Sequence, residues 1–112
     1  MTQTNTLPYV MLTRFLLNSL KDRKNGKHSA VISVSSGAGD IALSCMETYC
    51  ATKAFDKVFS DALKYELEPL NIDTLTVKPL RVATGMHDPN NKSAKNVVSA
   101  TDCVDGILAS LG

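Results

Sequence analysis

Charge of one sign, aromatic bulk and long apolar runs are all scarce in this chain. Its 12 basic and 11 acidic side chains leave a net charge of +1. With no basic run and no interleaved aromatics, that balance weighs against nucleic acid as a partner. Aromatic residues make up 5% of the chain against a hydrophobic content of 44%, so a core built from these 112 residues would be aliphatic. No apolar run approaches the about 20 residues that cross a bilayer, and the N-terminus lacks the charged-then-apolar order of a signal segment. Cys45, Cys50 and Cys103 are odd in number and lack paired close spacing, so no disulfide framework and no zinc site is indicated. Reduced, cytosol-facing thiols are the expectation. His28 and His87 have no second His or Cys at ligand spacing and are expected to be solvated.

What is present is concentrated between Ser35 and Lys53. Ser35-Ser36-Gly37-Ala38-Gly39 is followed, ten residues later, by Tyr49-Cys50-Ala51-Thr52-Lys53. Residues four apart on a helix share a face, so Tyr49 and Lys53 place a phenol and an ammonium on one side. A free phenol titrates at about 10, and an adjacent positive charge favours its phenolate. The pair suits general acid/base work, and Ser36, leaving the end of a strand, suits the orientation of a substrate oxygen. Taken alone, a Tyr-x-x-x-Lys spacing is common, and its bland reading is a core tyrosine beside a solvated lysine.

The surrounding chain supplies the context. Leu12, Phe15, Leu16 and Leu20, widened by Met11 and Leu17, recur at helical steps and predict a helix over 6–24, with Pro8 in its opening turn and Asn25-Gly26 as its stop. Ala30–Ser35 is a β-branched run without clean alternation, which predicts a strand covered on both faces, as in parallel sheets. Gly37 and Gly39 turn the backbone at its carboxyl end, where open α/β sheets place ligands. Ser44-Cys45-Met46-Glu47 reads as a capping box opening a helix over 45–68, whose stripe of Phe55, Val58, Phe59, Ala62 and Leu63 runs until Pro69. Ile72–Val77 alternates and gives a second strand, joined to the first by a right-handed helical crossover. Residues 84–98 are polar, with Asp88-Pro89-Asn90-Asn91 as a turn cluster, and are expected to form a substrate loop or lid. Ser99 is placed to cap a last helix lined by Val104, Ile107, Leu108 and Leu111.

In order, Asn5, Ser35-Ser36-x-x-Gly39, Tyr49-x-x-x-Lys53 and Pro79-x-x-Val82-x-Thr84 resemble the later, catalytic half of a short-chain dehydrogenase/reductase. The resemblance implies an α/β fold: a partial Rossmann-type, doubly wound parallel sheet in the order α-β-α-β-α. It implies that Tyr49 donates a proton to a ketone as hydride arrives, and that Lys53 favours ionisation of the phenol and bonds the nicotinamide ribose. Ser36 would hold the substrate oxygen, and Asn5 would position a water linked to the lysine. Thr84 and the backbone of Val82 would contact the nicotinamide carboxamide. Leu80, standing where most members have glycine after the proline, is similar to the branch of very-long-chain 3-oxoacyl-CoA reductases and 17β-hydroxysteroid dehydrogenase-like enzymes. That branch implies NADPH rather than NAD as cofactor, a lipid or steroid ketone as substrate, and a full-length parent at the endoplasmic reticulum membrane, or otherwise in the cytoplasm.

The family also opens with a strand, a Gly-rich turn and a helix that receives the pyrophosphate, and no such segment occurs in these 112 residues. The expectation is therefore of residues 1–112 as the C-terminal catalytic portion of the domain, lacking the N-terminal dinucleotide-binding half. Two strands and three helices leave a strand edge unpaired and sheet surface uncovered. Two readings from different classes follow. One is an oxidoreductase, or a piece of one that is expected to be inactive alone, neither folding robustly nor binding nicotinamide tightly. The other is a non-catalytic truncated member acting as an interaction module, able to form a homo-oligomer through helices 6–24 and 45–68.

Overall fold

The computed structural model describes residues 1–22, 28–84 and 97–111, which form two compact units, Met1–Lys78 and the segment from Pro79 onward. In the first unit, helix α1 (Thr2–Lys21) leads to strand β1 (Ser29–Val34), a single 3-10 turn (Gly37–Gly39), helix α2 (Glu47–Leu67) and strand β2 (Ile72–Val77). The two strands are parallel, pairing from Ser29 with Ile72 to Val34 with Val77, and Ser35 N–H extends the ladder to the Val77 carbonyl at 2.8 Å. Parallel neighbours need a crossover, and α2 supplies it. Its exit is set by Pro69 in a second 3-10 turn (Glu68–Leu70) and by Asn71, whose φ of 56° is a left-handed conformation that asparagine tolerates.

The helices begin and bury differently from what their sequence patterns predict. α1 starts at Thr2, not near Thr6, so Pro8 lies inside it and cannot donate to the preceding turn. The first turn is anchored from outside, by the Asn5 side chain on α2 and by Tyr9, whose ring meets Phe59 edge-on with centroids 5.0 Å apart. The expected helix end at Lys24 and the Asn25-Gly26 stop lie outside the described residues. The capping box does not form either. α2 begins at Glu47 after Met46, and the Glu47 carboxylate accepts from Cys45 N–H at 3.0 Å, because Cys45 turns left-handed with a φ of 64°.

The apolar stripes mark the core only in part: Leu17, Phe59 and Leu63 are half-buried between the helices. Leu12, Phe15 and Leu16 of α1, and Phe55, Val58 and Ala62 of α2, are exposed. α1 instead meets α2 through Val10, Thr13 and Leu17 against Phe59, Leu63 and Leu67, the walls of one shallow groove. Toward the sheet α2 presents Thr52, Asp56 and Ser60, all buried, over a strand whose buried positions are Ser29 and Ser33. Fully apolar burial is confined to the far end of the unit, at Leu67 and Ile72, with Cys50 nearer the helix start. β1 is covered on one face only, since Ile32 and Val34 remain 41% and 55% exposed. The expectation of two covered faces fails because, among the described residues, no helix of this unit covers that side.

In the second unit, β3 (Val82–Ala83) runs parallel to β4 (Val98–Ser99), and α3 (Ala100–Ala109) follows directly. Val98 N–H donates to the Arg81 carbonyl at 3.0 Å, so Val98, expected in a loop, belongs to a short strand. Ser99 caps α3 as its sequence predicts: its hydroxyl accepts from Asp102 N–H at 3.0 Å and donates to the Asp102 carboxylate at 2.7 Å. Val104 and Leu108 are exposed on α3, while Ile107 and Leu111 are half-buried. Residues 85–96, with His87 and the Asp88–Asn91 cluster, lie outside the described residues.

Candidate active site

β1 delivers two serines at its carboxyl end, and they do different things. Ser35 turns into the helix layer, where its hydroxyl donates to the Lys53 carbonyl at 2.6 Å. Ser36 keeps an extended backbone and caps the 3-10 turn, its Oγ accepting from Ala38 N–H at 3.2 Å. Both are buried, and Ser36 is 8% exposed, at the rim of the sheet where ligands of open α/β folds bind. Gly39 then lets the turn lie directly on α2. A Cβ there would stand 2.8 Å from both the carbonyl carbon and oxygen of Lys53, closer than side chains approach backbone.

The first turns of α2 carry Tyr49, half-buried, and Lys53. The Lys53 ammonium donates to the Val34 carbonyl at 2.8 Å and to the Asp56 carboxylate at 3.0 Å. It is therefore held at the end of β1 by a neutral and a charged acceptor, and neither is the Tyr49 phenol. Asn5 reaches the same turn from α1: its amide donates to Thr52 Oγ at 3.0 Å, and the Thr52 hydroxyl donates to the Tyr49 carbonyl at 2.8 Å. Three elements thus converge on one turn of α2, which fixes the backbone that carries the tyrosine and the lysine.

Of the four expected catalytic residues, Tyr49 and Lys53 lie on this turn and Asn5 against it, while Ser36 stands two residues past the end of β1 as the cap of the Gly37–Gly39 turn, all within the first unit. Asn5 is spent on Thr52 rather than on the lysine. Val82 and Thr84 lie in β3 and just after it, in the second unit. Asp56, Thr52 and Ser35 are the residues that sequence reading overlooked. A signal existed for Asp56, since an acid three residues after a lysine shares its helix face, but a polar stripe of Thr52, Asp56 and Ser60 reads as a solvated face. The solvated i,i+4 pair of α2 is Lys57 with Asp61 at 2.7 Å, where the Asp61 hydrogen bond and then its charge raise the lysine above its ordinary value.

Beside this turn, an apolar cleft of about 390 Å³ separates the segment after Gly39 from α2, with Ile41, Leu43, Cys50 and Ala54 among its walls. Lys78 closes one side of that segment through an ion pair with Asp40 at 2.8 Å. Cys50 is buried and Cys45 exposed, and among the described residues no group of His, Cys, Asp and Glu is arranged to hold a metal ion.

The first unit thus brings together a serine past a strand end, a tyrosine and a lysine one turn apart on the crossover helix, and an asparagine tying the neighbouring helix to that turn. The family model for short chain dehydrogenases matches residues 1–95. The chain belongs to the short-chain dehydrogenase family. Among its relatives, a putative steroid dehydrogenase of Caenorhabditis elegans is 32% identical over 99 residues, 88% of this chain and 34% of that protein. A very-long-chain 3-oxoacyl-CoA reductase of the same nematode is 33% identical over 96% of this chain and 37% of its own length. This short-chain dehydrogenase chain thus spans about a third of the relatives it matches. A short-chain dehydrogenase from Burkholderia cenocepacia in complex with NADP superposes with a TM-score of 0.80 at 24% identity, over 98% of this chain and 44% of that one, which establishes the α/β Rossmann-like fold. One from Sphingobium yanoikuyae in complex with NADPH gives 0.78 at 25% identity, over 96% and 42%.

Proposed function

We propose that residues 1–112 are the C-terminal catalytic portion of an NADP-dependent reductase that converts a ketone to a secondary alcohol, the substrate being a long-chain 3-oxoacyl-CoA or a steroid. The observation that carries the reading is the convergence of α1, β1 and the 3-10 turn on the Tyr49–Lys53 turn of α2, through Asn5, Ser35 and Gly39. Structure is spent there on holding a tyrosine and a lysine at a sheet's carboxyl end, where packing alone needs neither.

The residues present fit the nicotinamide end of such a cofactor, because Lys53 uses two of its three N–H donors on Val34 and Asp56 and keeps one for a ribose hydroxyl. When bound, reduced nicotinamide supplies the hydride to the ketone carbon. Ser36 Oγ holds the ketone oxygen, and the Tyr49 phenol gives that oxygen its proton as the carbon–oxygen double bond becomes single. Lys53 stabilises the phenolate left behind. The apolar walls of the cleft beside α2 support an acyl or steroid substrate, as do the names of the relatives. Among the described residues no helix is long and apolar enough to cross a membrane. By resemblance, the full-length parent would act at the endoplasmic reticulum membrane, or otherwise in the cytoplasm.

A second reading, an interaction module without catalysis, is favoured by the exposed Leu12, Phe15 and Leu16 on α1 and Phe55 and Val58 on α2, an apolar surface suited to a second copy or a longer relative. A titration with NADPH of the 112-residue chain supplied with the complementary dinucleotide-binding half of a family member, followed by nicotinamide fluorescence, separates the two. Saturable binding abolished by Lys53→Met is expected for the reductase. A folded chain that self-associates and leaves NADPH fluorescence unchanged would overturn that reading in favour of the module.

A further inference from the structure

β1 has one paired edge and one open edge. The N–H groups of Ser29 and Ser35 both donate toward β2, to the carbonyls of Asn71 and Val77, and the register between them is unbroken. In a parallel ladder every second residue turns its N–H and carbonyl to the same neighbour, so Val31 and Ser33 face β2 as well. Ala30, Ile32 and Val34 point the other way, to an edge that no strand occupies among the described residues. Their side chains share the uncovered face, and all three are exposed.

An open edge recruits strands, and proteins commonly blunt it with lysine, proline or a bulge. β1 itself supplies none of these. A lysine comes instead from α2: the Lys53 ammonium donates to the Val34 carbonyl at 2.8 Å and is held by the Asp56 carboxylate at 3.0 Å. Val34 is one of the residues that face the open edge, so this ammonium sits on an acceptor that a third strand would use.

The occupant follows from the fold and from the span of the chain. A Rossmann-like sheet is mostly parallel, with helices on both faces, and this unit holds two parallel strands with one face uncovered. The NADP-bound relative matches 98% of this chain with only 44% of its own. We propose that the open edge of β1 seats a parallel strand from the dinucleotide-binding half of a family member, and that Lys53 guards this edge, its ammonium leaving the Val34 carbonyl as the strand docks. The docking stands on the sheet alone. Its consequence for the site rests on the reductase reading above and deepens it: the lysine gains a second free N–H for the cofactor only in the assembled sheet, so assembly itself readies the site.

The test needs neither NADPH nor a ketone. Amide hydrogen exchange is followed by NMR in the 112-residue chain alone and mixed with the dinucleotide-binding half of the nematode 3-oxoacyl-CoA reductase. In the chain alone, Ser33 and Ser35 are expected to exchange at least about 10-fold more slowly than Ile32 and Val34, and in the mixture Ile32 and Val34 are expected to slow by at least about 10-fold. Ile32→Pro removes an N–H that only the open edge uses, and Ile32→Lys places a charge on that edge. Each is expected to keep the helical circular dichroism and abolish docking. Lys53→Met with Asp56→Leu removes the guard without stranding a buried charge, and docking is expected to tighten by about 10-fold, the lower end of what a hydrogen bond to a charged group contributes.

Uniform exchange along β1 in the chain alone, unprotected Ile32 and Val34 in the mixture, or docking undiminished by both Ile32 variants would overturn the docking site. Protection of Ile32 and Val34 in a self-associated chain without the added half would overturn it too, making a second copy the occupant. Docking unchanged or weakened by the Lys53→Met, Asp56→Leu variant would overturn the guard. Docking that holds while NADPH binding fails counts against the reductase reading instead.

Discussion

Lys53 meets the rest of the molecule with both ends of its structure: its carbonyl accepts from Ser35, and its ammonium donates to Val34 and Asp56. The neighbouring residues matter through that turn. Asn5→Ala and Thr52→Ala each remove a member of one hydrogen-bonded chain to the Tyr49 carbonyl. Each is expected to cost about 1 kcal/mol in urea denaturation, and the double variant little more than either single one. Gly39→Ala is the harsher change, because its Cβ meets backbone atoms of Lys53 and Ala54 that belong to a helix and cannot step aside. A loss of about 1–3 kcal/mol is expected. Gly106 offers the internal control. Nothing lies within 4 Å of a Cβ there, and it sits inside α3, so Gly106→Ala is expected to stabilise by about 0.5–1 kcal/mol.

At the scale of elements, the strands and helices follow from the sequence more faithfully than their faces do. Ile72–Val77 forms as its alternation predicts, Ser99 caps α3 as its spacing predicts, and the serine, tyrosine and lysine of the site fall on the strand end and helix start where they were expected. The buried face of α2 was not legible. Its hydrophobic stripe runs through Phe55, Val58, Phe59, Ala62 and Leu63, of which Phe59 and Leu63 are half-buried toward α1 and the other three exposed, while the buried positions include Thr52, Asp56 and Ser60. Periodicity locates a stripe to be covered but not which neighbour covers it, and here part of the stripe packs against α1 rather than the sheet. The start of α1 escaped for a related reason: Pro8 argues for a late start on local grounds, and tertiary anchors at Asn5 and Tyr9 override it. The energetic consequence is testable. Ile72→Val at the apolar end should cost about 0.5–1.5 kcal/mol by thermal unfolding, and Val34→Thr on the uncovered face of β1 less than about 0.5 kcal/mol.

Over the whole molecule, apolar surface is left facing outward on α1, on α2 and on one face of β1. In a chain spanning about a third of its relatives' length, such surface favours association with copies or with complementary structure. Light scattering should find a mass above that of one 12.1 kDa chain, and Phe15→Lys combined with Val58→Lys should lower it. A chain that is monomeric at every concentration would remove the basis for self-association without touching the site.

The site itself is tested most directly by ketone reduction. Supplied with the complementary dinucleotide-binding half of a family member, NADPH and a long-chain 3-oxoacyl-CoA, the chain is expected to support oxidation of the cofactor as the ketone becomes an alcohol, and Tyr49→Phe is expected to slow that turnover by at least about 100-fold while NADPH still binds. Turnover that survives Tyr49→Phe undiminished would contradict the assignment of Tyr49 as the proton donor, and with it the account of why three elements converge on its helix turn.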